Sequence, residues 1–129
     1  MNEEMASKTM VVNAESHFWT VKSVLADMMA RNNGKGKGHI VSTCSIASLG
    51  GACAMSDYCA SKAAAYMFME SLRNEMKNAG KDITCTTICP YWINTGMFSG
   101  VQCTRILPML EQDYVVRRIV AAVLQNENA

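Results

Sequence analysis

The chain predicts an α/β fold with parallel strands. Apolar residues recur at helical spacing over two long segments, and short β-branched runs lie between and after them. The resulting order, helix–strand–helix–strand–loop–helix, is that of crossover-linked parallel strands.

The first helix is expected from Ser7 to Asn32. Its apolar residues Val11, Ala14, Phe18, Val21, Leu25 and Met28 step by three and four and so share one face. Asn33-Gly34 is its stop signal. Gly38 to Ser45 (GHIVSTCS) follows as a buried strand, and Ile46 to Met55 as a loop of small residues holding Gly50-Gly51. A second long helix spans Asp57 to Asn78 and ends at Gly80. Its alanines Ala60, Ala63, Ala64 and Ala65 suit close packing. Ile83 to Cys89 is the second strand, stopped by Pro90. A loop from Tyr91 to about Leu110 leads into a helix over roughly Gln112–Leu124. Two parallel strands make a marginal sheet, so the domain is expected to be cut, with the cut before Met1.

With 129 residues there is room for one small domain, here residues 1–129. Half the residues are hydrophobic and net charge is +1, which fits a globular chain and offers no electrostatic case for nucleic acid. No apolar run is long enough to span a membrane, and the acidic start Met1-Asn2-Glu3-Glu4 is unlike a signal peptide. The six cysteines form no CxxC pair and none clusters with His17 or His39, so no metal site is expected. Several sit in apolar runs, as reduced intracellular cysteines do. Gly34-Lys35-Gly36-Lys37-Gly38 leaves a helix and enters a strand. That is the reverse of a dinucleotide loop, and it reads as a connector.

The chemistry concentrates in Ser45 and Tyr58-Cys59-Ala60-Ser61-Lys62. Residues four apart share a helix face, so the Lys62 ammonium can reach the Tyr58 phenol. A positive charge beside a phenol supports phenolate and suits it to acid–base work. Ser45 and the Cys89-Pro90 turn close the carboxyl ends of the two strands, where open α/β sheets bind ligands. Asn13 interrupts an apolar stretch of the first helix. On its own it reads equally as an exposed residue or one bonded to a nearby carbonyl.

In this order these residues resemble the short-chain dehydrogenase/reductase family. The likeness runs from Lys8-Thr9-Met10-Val11-Val12-Asn13 through Gly38-His39-Ile40-Val41, Ser45 and Tyr58–Lys62 to Ile88-Cys89-Pro90 and Thr95. The stretch Cys89 to Phe98, with His17-Phe18-Trp19-Thr20 and Leu107–Glu111, is most similar to the retinol and 17-beta-hydroxysteroid dehydrogenase-like branch. The resemblance implies a partial Rossmann-type doubly wound parallel sheet, the catalytic half without the N-terminal nucleotide-binding half. The family's TGxxxGxG turn and NAG motif do not occur in these residues, and on the resemblance a final strand after Ala129 is expected to be missing.

The resemblance also implies roles. Tyr58 exchanges a proton with the substrate oxygen; Lys62 supports the phenolate and hydrogen-bonds a nicotinamide ribose. Ser45 holds the reacting oxygen, and Asn13 supports a water that links Lys62 to solvent. Pro90, Ile93 and Thr95 border the nicotinamide and its phosphates, with Tyr91 where the family usually has glycine. The cofactor is NAD or NADP, which the sequence does not distinguish. The substrate is a lipophilic alcohol or ketone, a retinoid or steroid, against the apolar loop of Met97, Phe98, Val101, Ile106, Leu107, Met109 and Leu110. Full-length relatives of this kind imply endoplasmic reticulum or lipid droplet, and for this chain an intracellular, cytoplasmic place. The alternative is a non-catalytic fragment, and in either case a homodimer through helices 7–32 and 57–78 is expected.

Overall fold

The computed structural model describes residues 2–96, 100, 103 and 108–126. Helix α1 (Glu3–Met10), a π-helical turn (Val11–Glu15) and helix α2 (Ser16–Ala30) form one rod. It starts four residues before the expected Ser7. The Asn2 side chain accepts from the Glu4 N–H at 3.0 Å, and Glu3 and Glu4 put acidic charge in the first turn. It ends where Asn32 and Asn33 turn left-handed (φ 54° and 53°).

The glycine run is tied down as an ordinary connector. Gly36 N–H donates to Arg31 O, Lys37 N–H to Met28 O and Asp82 N–H to Lys35 O, each at 2.9 Å. Strand β1 (Gly38–Thr43) then pairs in parallel with β2 (Ile83–Ile88), Gly38 opposite Ile83 and Thr43 opposite Ile88. Between them lie a 3-10 turn (Ile46–Ser48) and helix α3 (Ser56–Asn78). Helix α4 (Gln112–Gln125) follows β2.

Strand alternation sorts the layers. Ile40, Ile83 and Cys85 meet Val21 of α2 and Met69, Leu72 and Met76 of α3 in one buried cluster. The opposite face of β2 packs against α4, where Val115 and Ala122 are buried. Helices thus cover both faces of the sheet, the doubly wound arrangement expected. The rod and α3 run in the same direction. Asn13 meets Ser61, and one to two turns on Phe18 stacks on Phe68 with centroids 4.8 Å apart.

Two expectations change in detail. Val11 and Phe18 do not lie in the core with Ala14 and Val21; both are exposed. The π turn spends an extra residue per turn, so the regular three-and-four spacing read from the sequence slips in phase across Val11–Glu15. Strand β1 closes at Thr43 rather than Ser45, because Ser45 leaves the strand to cap the 3-10 turn.

Candidate active site

Beyond the strands the ladder runs on for one step. Cys44 N–H donates to Ile88 O at 2.8 Å and Ile46 N–H to Pro90 O at 3.0 Å. This holds the two strand ends side by side, and a cavity of about 580 Å³ opens over them. Ser45, Tyr58, Lys62, Pro90, Ile93 and Thr95 all line it. Of the seven residues named from spacing and resemblance together, six line this one cavity. The seventh, Asn13, lies outside the cavity lining and meets α3 at Ser61.

Ser45, Lys62 and Asn13 are each held by a specific bond. Ser45 Oγ accepts from the Ala47 N–H at 3.2 Å, which leaves its own O–H to donate into the cavity. Lys62 Nζ donates to Thr43 O at 3.1 Å and sits 5.9 Å from the centroid of the Tyr58 ring. The strand end thus pins the ammonium beside the phenol. Asn13 Nδ2 donates to Ser61 Oγ at 3.1 Å, and Ser61 Oγ donates to Tyr58 O at 2.8 Å. Asn13 is neither exposed nor bonded locally; it ties the π turn to the helical turn that carries Tyr58.

Three residues passed over in the sequence matter here. Ser48 Oγ accepts from Ser45 N–H at 3.3 Å and donates to Lys62 O at 3.0 Å, so one hydroxyl joins the serine to the lysine's helix. The Ser45-x-x-Ser48 spacing after a strand is the capping signal that could have found it. Ser61, fully buried, receives Asn13 and sits inside the Tyr58–Lys62 motif itself. His17, one helical turn past Asn13, has a buried Nδ1 with no hydrogen-bond partner among the described residues. Burial, and then the nearby Lys62 charge, hold its imidazole below the usual histidine range. His39, in contrast, is a sheet residue whose Nε2 meets Thr86 Oγ1 at 2.8 Å.

The rest of the wall is apolar: Ile46, Leu49, Met55 and Trp92 join Ile93. Ala54, in the loop between Gly51 and Met55, is held left-handed at φ 60°, a conformation alanine adopts at a cost. Of the loop expected to enclose substrate, Met97, Phe98, Val101, Ile106 and Leu107 lie outside the described residues. Leu110 is described, and its N–H donates to Trp92 O at 2.7 Å while its carbonyl accepts from Asn94 N–H at 2.9 Å. Those two bonds close the Pro90–Thr95 segment against the base of α4. Among the described residues no helix is long and apolar enough to cross a membrane.

Known proteins are similar to this chain. The chain is 43% identical over 128 residues to short-chain dehydrogenase/reductase family 16C member 6 of Bos taurus, covering 97% of this chain and 39% of that protein. It is 40% identical to human retinol dehydrogenase 10 (97% and 37%) and 41% to human epidermal retinol dehydrogenase 2 (97% and 40%). The chain therefore spans well under half the length of these curated relatives. Among solved structures, a short-chain dehydrogenase from Sphingobium yanoikuyae in complex with NADPH superposes with TM-score 0.77 at 19% identity, covering 98% of this chain and 48% of that one. One from Burkholderia phymatum in complex with NAD gives 0.71 at 22%, covering 91% and 49%. The two-stranded sheet here is thus part of a larger Rossmann-type fold in those proteins. The short chain dehydrogenase family model matches residues 1–105, and with the relatives above it shows that the chain belongs to that family, in the branch of the retinol dehydrogenases.

Proposed function

We propose that residues 1–129 form one partial dehydrogenase domain carrying the proton-transfer half of an NAD(P)-dependent oxidoreductase site. Its substrate is a lipophilic alcohol or ketone of the retinoid or steroid kind. The observation that carries this reading is the single cavity that Ser45, Tyr58 and Lys62 share with Pro90, Ile93 and Thr95. Its apolar walls suit a greasy substrate, and relatives bearing the name retinol dehydrogenase support a retinoid.

The residues present fit the nicotinamide end of a dinucleotide. Lys62 Nζ has three N–H donors and spends one on Thr43 O, which leaves donors for a ribose hydroxyl. Pro90 and Ile93, half-buried, and Thr95, exposed, line the same cavity beside it. When bound, the nicotinamide gives or takes the hydride. The chain's own work is the proton. Tyr58 Oη passes it to or from the substrate oxygen, and the Lys62 ammonium offsets the phenolate charge. The Ser45 O–H donates to that oxygen as charge develops on it. Asn13 fixes the Tyr58 turn through Ser61 and supports the water that links Lys62 to solvent. Neither NAD nor NADP is favoured by these residues.

A second reading has its own observation. Val12, Trp19 and Met67 are about 60% exposed on the rod and on α3. Large apolar side chains there suit a dimer through helices 7–32 and 57–78, with or without catalysis.

One experiment separates the two. The purified chain is titrated with NADH and NADPH, and turnover of retinol and estradiol is followed with Tyr58→Phe as control. Micromolar binding with turnover that falls about 10²–10⁴-fold in Tyr58→Phe sinks the inactive reading. A cooperatively folded dimer that binds neither cofactor sinks the enzymatic one.

A further inference from the structure

Cys44 and Cys89 are the residues next after the last register pair, Thr43 and Ile88, and so stand opposite each other on neighbouring strands. The bonds Cys44 N–H to Ile88 O and Ile46 N–H to Pro90 O show the ladder continuing through them. Hydrogen-bonded strands lie about 4.8 Å apart, within the roughly 4.4–6.8 Å Cα separation of disulfides. Both side chains point to the same face. Ile40 and Cys85, four residues earlier in the same register, share the core beneath α2 and α3. A second sign of proximity is electrostatic. Burial pushes the Cys89 thiol up and Cys44 pushes it further, against the opposing pull of the Ser45 backbone amide and Lys62. Cys44 is closed to bulk solvent, and its residue forms part of the cavity lining, so a small reagent entering there comes next to it.

We propose that Cys44 and Cys89 are a dithiol modification site, at which hydrogen peroxide couples them into one intramolecular cross-strand disulfide. Cys44 sulfur, as thiolate, attacks the peroxide oxygen; an S–O bond forms, the O–O bond breaks and hydroxide leaves. Cys89 sulfur then displaces hydroxide from the Cys44 sulfenic acid, and its thiol proton leaves with that hydroxide as water. Two thiols lose two hydrogens and two electrons, and peroxide becomes two waters. Disulfide Cβ atoms sit about 3.8 Å apart, closer than the strands, so the bond must draw the strand ends together. A bond strained in this way is readily reduced. Ser45 and Pro90, the next residues along each chain segment, move with it, and both line the cavity.

The test uses the full chain carrying Cys53→Ser and Cys103→Ser, which removes the exposed and half-buried cysteines away from the strand ends. After peroxide and catalase quench, the protein is denatured, alkylated and weighed intact. The expected result is loss of two alkylatable thiols with a mass loss of two hydrogens, reversed by dithiothreitol and abolished by Cys44→Ser and by Cys89→Ser. Linkage mapping of the peroxide-treated wild-type chain gives the same answer without variants: a crosslinked Cys44–Cys89 peptide pair. Four intact thiols, a stable sulfenic acid on Cys44 trapped by dimedone, or a bond to Cys59, Cys85 or a second chain overturns the proposal. The readout is a thiol count, so it stands or falls independently of the dehydrogenase reading.

Discussion

Replacing Ser61 by alanine tests the joint that holds Tyr58 to the π turn. Ser61 is fully buried, donates to Tyr58 O at 2.8 Å and accepts from Asn13 Nδ2 at 3.1 Å. Each bond contributes about 1 kcal/mol net, and the half-buried Asn13 amide left without its acceptor costs about 1 more. The Tyr58 carbonyl keeps its helical backbone donor, and alanine's better helix propensity returns about 0.5 kcal/mol. Ser61→Ala should therefore destabilise by about 2–3 kcal/mol. Asn13→Ala loses the shared bond alone, about 1 kcal/mol, because the Ser61 hydroxyl still donates to Tyr58 O. In the double variant the shared bond is lost once and no amide is stranded. Its cost should fall short of the summed single costs by about 2 kcal/mol. Urea unfolding of the four proteins, with midpoints compared at a common m-value, measures this. Additivity within about 0.5 kcal/mol would mean that the two side chains are not bonded in solution.

Other expectations follow from packing and charge. A Cβ on Gly38 would meet Met28 Sδ at 2.7 Å and Met28 Cγ at 3.0 Å. Gly38→Ala should cost about 1–3 kcal/mol, and Met28→Ala in the same chain should recover part of it in the unfolding midpoint. Met69, 1% exposed at the centre of the core, should lose about 2–5 kcal/mol on truncation to alanine. His17 is held below its ordinary value of 6.5 by burial first and Lys62 second. The unfolded chain therefore binds more protons than the folded one near that pH, and stability rises with pH. The His17 contribution is fully present above about pH 6.5 and declines as pH falls below it. His17→Asn should flatten the slope of urea midpoint against pH there, and an unchanged slope would remove His17 from the account.

How far the sequence could be read depended on where each signal came from. Helix and strand positions came from local patterns, and these survive because α3, β1 and β2 are bounded by residues with one conformational meaning: Pro90, Gly80 and the Asn32–Gly34 turn. The cavity members were legible because Tyr58 and Lys62 share a helix face, and Ser45 and Pro90 end strands that must be neighbours. What stayed illegible depends on contacts between distant segments. Asn13 has an acceptor 48 residues away, and no periodicity predicts a π turn, which is stable only because something across the interface holds it. The exposed face of Val11 and Phe18 follows from that same turn. His17 looked like any helix histidine until the fold set it beside Lys62.

The side-chain bonds that fix Ser45, Ser61 and Lys62 lie among the rod, the end of β1, the 3-10 turn and α3. Asn13, Ser61 and Tyr58 form one chain of contacts, and Ser45, Ser48 and Lys62 another. They converge because Lys62 follows Ser61 directly on α3 and reaches back to Thr43 at the end of β1. Two short networks thus meet on one helical turn, each anchored at its far end to a different element. A shift of α3 relative to β1 would break Lys62 from Thr43 and Ser48 from Lys62 together, while a shift relative to the rod would break Asn13 from Ser61. The phenol, the ammonium and the serine hydroxyl are therefore fixed by packing that this stretch of chain supplies itself. Lys62 and Ser45 both line the cavity, and each keeps donor capacity beyond the bond that fixes it.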